Sequence, residues 1–248
     1  MMSIQGVFFD LGGTLYTYKH VPRSHGELLS AAAERLGMPD ARAIKKAYGT
    51  AITALSAEYA EKDYYLHRDL FREAFQRCTE LVGASATPEL LDWYIDAHRD
   101  SVFGCLEIKP DCIDTLSRLR ELGLYQCIVS NIDDDMLEPL VQREGLHRYL
   151  DHWTSSEAAR SCKPHRGFFE LCLQKSGLRA EQVLFVGDSP EHDIAGAAAL
   201  GMRTALIIDD GMPPPLQSGK QAIDAHHTIR SLAELPALVR GQSGPKAG

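Results

Sequence analysis

Four short motifs carry residues able to do chemistry, and each follows an apolar run or precedes a helical one. The run IQGVFFD at residues 4–10 ends in Asp10, with Gly12-Gly13-Thr14 behind it. A second run ends in Ser130-Asn131, Lys163-Pro164 precedes a helical stretch, and VLFV leads into Gly187-Asp188-Ser189-Pro190-Glu191-His192-Asp193. Taken singly, each has a structural reading. Asp10 caps a turn, Ser130-Asn131 caps the next helix, Lys163 is a surface lysine, and Asp188 and Asp193 are a turn residue and a helix-start carboxylate. Asp133, Asp134 and Asp135 read as solvated carboxylates in a helix's first turn, where the dipole favours them. Taken together, the motifs say more. If their strands run parallel, all four share one sheet edge, and Asp10 and Asp188 on neighbouring strands face each other. Close carboxylates repel unless they share a proton or a cation. Mg2+ is the expected cation, since it takes oxygen ligands from one or two carboxylates, waters and a phosphate. Lys163 adds a fixed positive charge, and Ser130 with backbone N–H groups adds donors. Those parts suit a phosphoryl group.

The elements that must position these residues are legible from periodicity. Residues 4–10 read as a buried strand. From residue 50 to 82 there is no glycine, and Leu66, Leu70, Phe71, Ala74, Phe75 and Cys78 recur at helical spacing. Leu28, Ala32 and Leu36 mark an earlier helix. Leu90, Leu91, Tyr94 and Ile95 mark a later one, begun by Thr87 as N-cap and Pro88 at the first position. Residues 17–102 therefore read as an all-helical block of about four helices. Beyond Lys109-Pro110, strands at 124–130, 151–155, 183–187 and 203–208 alternate with helices, the first ending at Gly123 and the second broken near Pro139. Such alternation means an α/β fold with a parallel sheet covered on both faces. The helical block is thus an insertion just past the carboxyl end of strand one, the sheet edge where ligands bind. It divides the chain into an α/β core, residues 1–16 and 103–248, and a helical cap domain, residues 17–102. His226-His227 precede a short strand, 209–219 reads as an exposed loop, and the tail from Gly241 as disordered.

Composition narrows the class. The 248 residues are 44% apolar and 24% charged, ample for a hydrophobic core. Lys and Arg number 26 against 34 Asp and Glu, a net charge of −8, which argues against a nucleic-acid partner. Six cysteines without a CxxC pair argue against zinc ribbons and thioredoxin-like sites. Ten histidines show no HxH or HxxxH spacing, so a histidine metal site is not expected. With no signal-peptide pattern and no long apolar run, a cytoplasmic protein with reduced thiols and no membrane partner is expected.

The four motifs in this order resemble those of the haloacid dehalogenase-like (HAD) hydrolase superfamily with a helical (C1-type) cap. The resemblance covers about residues 4–235, and Gly187–Met202, GDSxxxxDxxGAxxxGM, is its most specific stretch. It implies a Rossmann-like parallel sheet of order 3-2-1-4-5, a Mg2+ ion, a mobile cap and a small phosphorylated substrate. Asp10 would be the nucleophile that accepts the phosphoryl group. Ser130 would hold the phosphoryl oxygens with the Asn131 backbone N–H, and Lys163 would neutralise Asp10 and the phosphate. Asp188 would bind Mg2+ with Asp10 and the Gly12 carbonyl, and Asp193 would act from behind or orient Lys163. A monomer or homodimer is expected.

One position departs from that pattern. HAD phosphatases carry a second Asp two residues after the nucleophile, and here that residue is Gly12. The carbonyl is kept, but the carboxyl that protonates the leaving oxygen is lost. Three readings follow: a phosphatase restricted to good leaving groups such as acyl phosphates or borrowing an acid, a 2-haloacid dehalogenase, or a weak member that binds a ligand or partner. His20, His25, Tyr16, Tyr18 and Lys19 are the nearby candidates for a borrowed acid. Dehalogenases work without metal and typically lack the Gly-Asp pair that Gly187-Asp188 keep. Phosphonate-cleaving relatives use a cap lysine, and no local signature selects Lys45, Lys46 or Lys62. Tyr64-Tyr65 and Trp93 read as packing residues of the cap rather than pocket walls.

Overall fold

The first strand, β1 (Gly6–Phe9), is buried at every position in the computed structural model, which describes residues 3–208, 216 and 224–241. A parallel strand covered on both faces has to be apolar throughout, and this one is. In chain order there follow β2 (Tyr16–Thr17), the helices α1 (Val21–Arg35), α2 (Ala41–Tyr59), α3 (His67–Leu81) and α4 (Pro88–Cys105), and β3 (Glu107–Ile108). Then come α5 (Cys112–Glu121), β4 (Tyr125–Ser130), α6 (Asp134–Arg143), β5 (His152–Ser155), α7 (Ser156–Ala159) and α8 (Arg166–Ser176). The chain continues through β6 (Val183–Gly187), α9 (Ala195–Ala199), β7 (Arg203–Ile207), β8 (His227–Ile229) and α10 (Leu235–Gly241).

Six strands form one parallel sheet in the order β5-β4-β1-β6-β7-β8. Its first five members have the expected order 3-2-1-4-5, and β8 adds a sixth at the edge. The connections leave β1 to one side through β4 and β5 and to the other through β6 and β7. Beside β1, at the carboxyl ends, is where such sheets bind ligands. Phe8, Cys127, Val129, Phe168, Phe169, Phe185 and Met202 pack as one buried cluster against the sheet.

The chain divides into two compact units, one of residues 3–17, 107–208 and 224–241, the other of residues 18–106 and 216. The second is entirely helical between its ends. Its core joins Leu28 and Leu29 of α1, Ile44, Tyr48 and Leu55 of α2, Leu70, Phe75 and Cys78 of α3, and Tyr94 of α4. Phe75 stacks on Tyr94 with ring centroids 3.9 Å apart. Trp93 and Tyr65 pack against this core, as expected of them. Thr87 caps α4 by accepting the Leu90 N–H at 3.3 Å, and Gly123 takes φ +73° at the end of α5, the conformation a C′ glycine supplies.

Several local expectations are corrected. β2 and β3 pair antiparallel where the helical unit leaves and rejoins the core, a two-residue ribbon too short for periodicity to show. α6 runs unbroken through Pro139, giving up one backbone bond instead of ending there. Pro190–Ile194 winds as a π-turn before α9, so the expected helix there is not uniform. Asp133 is buried, not solvated: its extended backbone precedes α6, and only Asp134 and Asp135 stand in the exposed first turn. Most of the expected 209–219 loop and nearly all of the tail from Gly241 fall outside the described residues.

Candidate active site

Strand register brings three motifs level. Phe9 pairs with Ile128 of β4 on one side and Val186 of β6 on the other. Asp10 follows Phe9 directly, while Ser130 and Asp188 each stand two residues beyond those partners. The Asp10 N–H donates to the Val186 carbonyl at 2.9 Å, which ties motif one to β6.

Lys163 reaches this edge from the segment before α8. Its Nζ donates to Asp10 Oδ1 and to Asp193 Oδ1, both at 2.6 Å. All three side chains are buried. Asp193 is further held because its Oδ2 accepts the Ser189 N–H at 3.0 Å. Carboxylate oxygens of Asp10, Asp188 and Asp193 lie within 4.8 Å of one another.

The electrostatics follow from burial and charge. Burial raises the Asp10 carboxyl pKa, Lys163 works against that rise, and Asp193 adds to it. Asp188 is pushed well above the usual carboxylate range by burial and then by Asp10 and Asp193. Burial pulls the Lys163 ammonium down, but Asp10 and Asp193 more than offset it, so its pKa is raised and it stays charged. Three carboxylates against one ammonium leave two negative charges uncompensated. A divalent cation is the matching counter-charge, and oxygen-only donors of this kind suit Mg2+. The cluster can therefore hold such an ion. Asp193 has both oxygens engaged, on Lys163 and on Ser189.

Two glycines make the cluster possible. A Cβ at Gly187 would sit 2.3 Å from Asp193 Oδ2, so only glycine lets that carboxylate close on β6. A Cβ at Gly196 would sit 2.5 Å from the Phe169 ring and 3.1 Å from Pro164 Cα, so glycine lets this helix approach the Lys163 segment. Both positions fall in the most specific motif, yet side-chain chemistry alone gives no reason for either.

Other candidate residues have surroundings of their own. Tyr16 is buried in β2, and its hydroxyl donates to the Leu140 carbonyl at 2.8 Å, which commits its proton. His25 packs inside the helical unit, its Nε2 3.1 Å from the Tyr94 hydroxyl and its ring against Tyr48 and His98. Lys62 stands over the Tyr59 ring at 3.3 Å, and Lys45 and Lys46 are exposed on α2. Sequence reasoning missed the Asn131 side chain. It bonds twice to the Lys163 backbone, a contact spanning 32 residues that no local pattern announces.

With the sheet, the insertion and this carboxylate–lysine cluster in hand, the class of protein is plain. Residues 4–201 match the haloacid dehalogenase-like hydrolase family, and the chain belongs to it. It is 29% identical over 237 residues to the ribulose-1,5-bisphosphate 5-phosphatase of Halopiger xanaduensis, covering 94% of this chain and 98% of that one. It is 27% identical over 237 residues to the (S)-2-haloacid dehalogenase 4A of Burkholderia cepacia, covering 96% and 95%. The fold also matches the HAD-hydrolase YfnB of Bacillus subtilis, solved bound to magnesium, with a TM-score of 0.74 at 20% identity, covering 96% and 99%. The described helices include none long and apolar enough to cross a membrane.

Proposed function

We propose that the protein is a Mg2+-dependent phosphohydrolase acting on a small phosphorylated metabolite, with Asp10 as the nucleophile. The observation that carries this is the Lys163 ammonium bridging Asp10 and Asp193 at 2.6 Å within a three-carboxylate cluster. Lys163 fixes one oxygen of Asp10, which leaves the carboxylate oriented to attack phosphorus with the other. An O–P bond forms to Asp10 while the bond from phosphorus to the leaving oxygen breaks. The leaving oxyanion takes a proton from solvent, or none when it departs as the carboxylate of an acyl phosphate. Water then attacks phosphorus, inorganic phosphate leaves, and the Asp10 carboxylate is restored as the spent water proton passes to solvent. Ser130 and the Asn131 N–H hold the phosphoryl oxygens throughout. Asp10, Asp188 and the Gly12 carbonyl would hold Mg2+, which when bound supplies positive charge against the carboxylates and phosphoryl oxygens.

The phosphatase relative supports the substrate class. A second reading, 2-haloacid hydrolysis, is favoured by Gly12, since halide leaves without a proton. There Asp10 would displace halide from carbon, and water would cleave the resulting ester. Metal dependence separates the two. Phosphate release that stops with EDTA supports the first. Hydrolysis of 2-chloropropionate that is indifferent to EDTA, with no phosphate ester turned over, supports the second and overturns the first. No turnover of any substrate above an Asp10→Asn control supports a binding role instead.

A further inference from the structure

The Asn131 side chain makes two hydrogen bonds, both to one residue. Its Oδ1 accepts the Lys163 N–H at 2.7 Å, and its Nδ2 donates to the Lys163 carbonyl at 2.9 Å. The amide orientation is forced, because a backbone N–H can only donate and a carbonyl can only accept. A planar amide paired with both polar groups of one residue fixes that residue's backbone in position and rotation, as a neighbouring strand would. Lys163 has no sheet partner of its own, since it lies between α7 and α8. Its ammonium must nevertheless meet two carboxylates at 2.6 Å each.

The loop that presents Asn131 is itself tied down. The Ile132 N–H donates to Ser156 Oγ at 3.1 Å, and the Asp134 N–H donates to Glu157 Oε2 at 2.9 Å. Ser155 Oγ donates to Asp134 Oδ1. The end of β4 is thus stitched to the end of β5 on one side and to Lys163 on the other. Position 131 has two separable parts: a backbone N–H on the sheet edge and a side chain committed to the lysine.

We propose that Asn131 is a positioning residue: its carboxamide sets the place of the Lys163 backbone and so holds the ammonium between Asp10 and Asp193. The geometric part stands without any assumption about the reaction, while its consequence for phosphate binding rests on the phosphohydrolase reading. The test reads the two separately. The first readout is the rate at which Lys163 is acylated by acetic anhydride, followed by peptide mass spectrometry, in wild type, Asn131→Ala and Val141→Ala. Val141 is buried on α6, makes none of the clamp's hydrogen bonds, and controls for general loss of stability. Lys163 labelling should rise about tenfold in Asn131→Ala, the size expected for losing two hydrogen bonds, and clearly exceed that in Val141→Ala. Labelling no faster than in Val141→Ala overturns the proposal.

The second readout is inorganic phosphate binding with Mg2+, measured calorimetrically in a cycle with Lys163→Met. Asn131→Ala should weaken binding about tenfold when Lys163 is present and less than about twofold when it is replaced, because positioning acts only through the lysine. An equal loss in both backgrounds overturns the proposal and leaves the phosphohydrolase reading standing. Faster Lys163 labelling in Asn131→Ala, with no phosphate bound by the wild type, does the reverse.

Discussion

Gly12 is the residue on which turnover should depend most visibly. General acid–base catalysis contributes roughly 10²–10⁴ in rate, so its loss matters most where the leaving group is a poor one. Gly12→Asp should therefore raise kcat for p-nitrophenyl-free, alkyl phosphate esters by at least about tenfold while changing acetyl phosphate little. Equal effects on both substrates, in parallel steady-state assays, count against a leaving-group explanation. Asp188 offers a second test, through stability. Its raised pKa means that the folded state holds this proton more tightly than the unfolded chain does. The ionised carboxyl therefore costs stability at neutral pH, and the cost is relieved as pH falls through the folded pKa towards the ordinary value. Asp188→Asn should raise the metal-free unfolding free energy at pH 7, with a gain that shrinks as pH falls. It should also lose most of the stabilisation that Mg2+ confers, which thermal melts with and without Mg2+ report. A wild-type-sized Mg2+ shift in the variant contradicts a metal role for Asp188. Asp10 and Asp188 were legible because each follows a buried apolar strand, and Lys163 only in the company of those two motifs. For Asn131 only the backbone N–H was anticipated; its side-chain role was not, because an amide after a strand reads equally well as a helix cap.

At the scale of elements, the carboxyl ends of β1, β4 and β6 deliver Asp10, Ser130 and Asp188 to one edge through parallel register. What completes the site is close approach. Gly196→Ala would drive a methyl to 2.5 Å from the Phe169 ring and 3.1 Å from Pro164 Cα. Overpacking of this kind costs about 1–3 kcal/mol, and here the strain bears on the segment that carries Lys163. The variant should unfold at lower urea and lose activity beyond what its stability explains. Full activity at a temperature where it remains folded contradicts the link. Such contacts escape sequence reading because a glycine announces freedom or proximity without saying which neighbour comes near. Pro139 is the converse case: the residue argues for a break, and packing of Leu137, Leu140 and Val141 keeps α6 whole.

At the scale of the molecule, the parallel α/β alternation and the helical insertion were both legible, since alternation and period are properties of long segments, while the strand order followed from the family resemblance. The β2–β3 ribbon and the sixth strand were less so, being two and three residues long. The helical unit should carry its own pH response. Burial pushes His25 down to about 4 and His98 to about 3. Both stay neutral in the fold while the unfolded chain takes up protons below its ordinary histidine pKa, so stability is lost as pH falls from about 6.5 towards 4. Allowing for partial exposure, the loss should reach roughly 1–2 kcal/mol for the pair. Urea midpoints measured across this range should fall in wild type and fall less steeply in His98→Gln; parallel curves contradict the assignment. The central claim concerns chemistry on Asp10, and release of inorganic phosphate from acetyl phosphate and p-nitrophenyl phosphate tests it most directly. The account predicts turnover that requires Mg2+, stops with EDTA and disappears in Asp10→Asn. Turnover that survives EDTA, or none above the Asp10→Asn background, contradicts it.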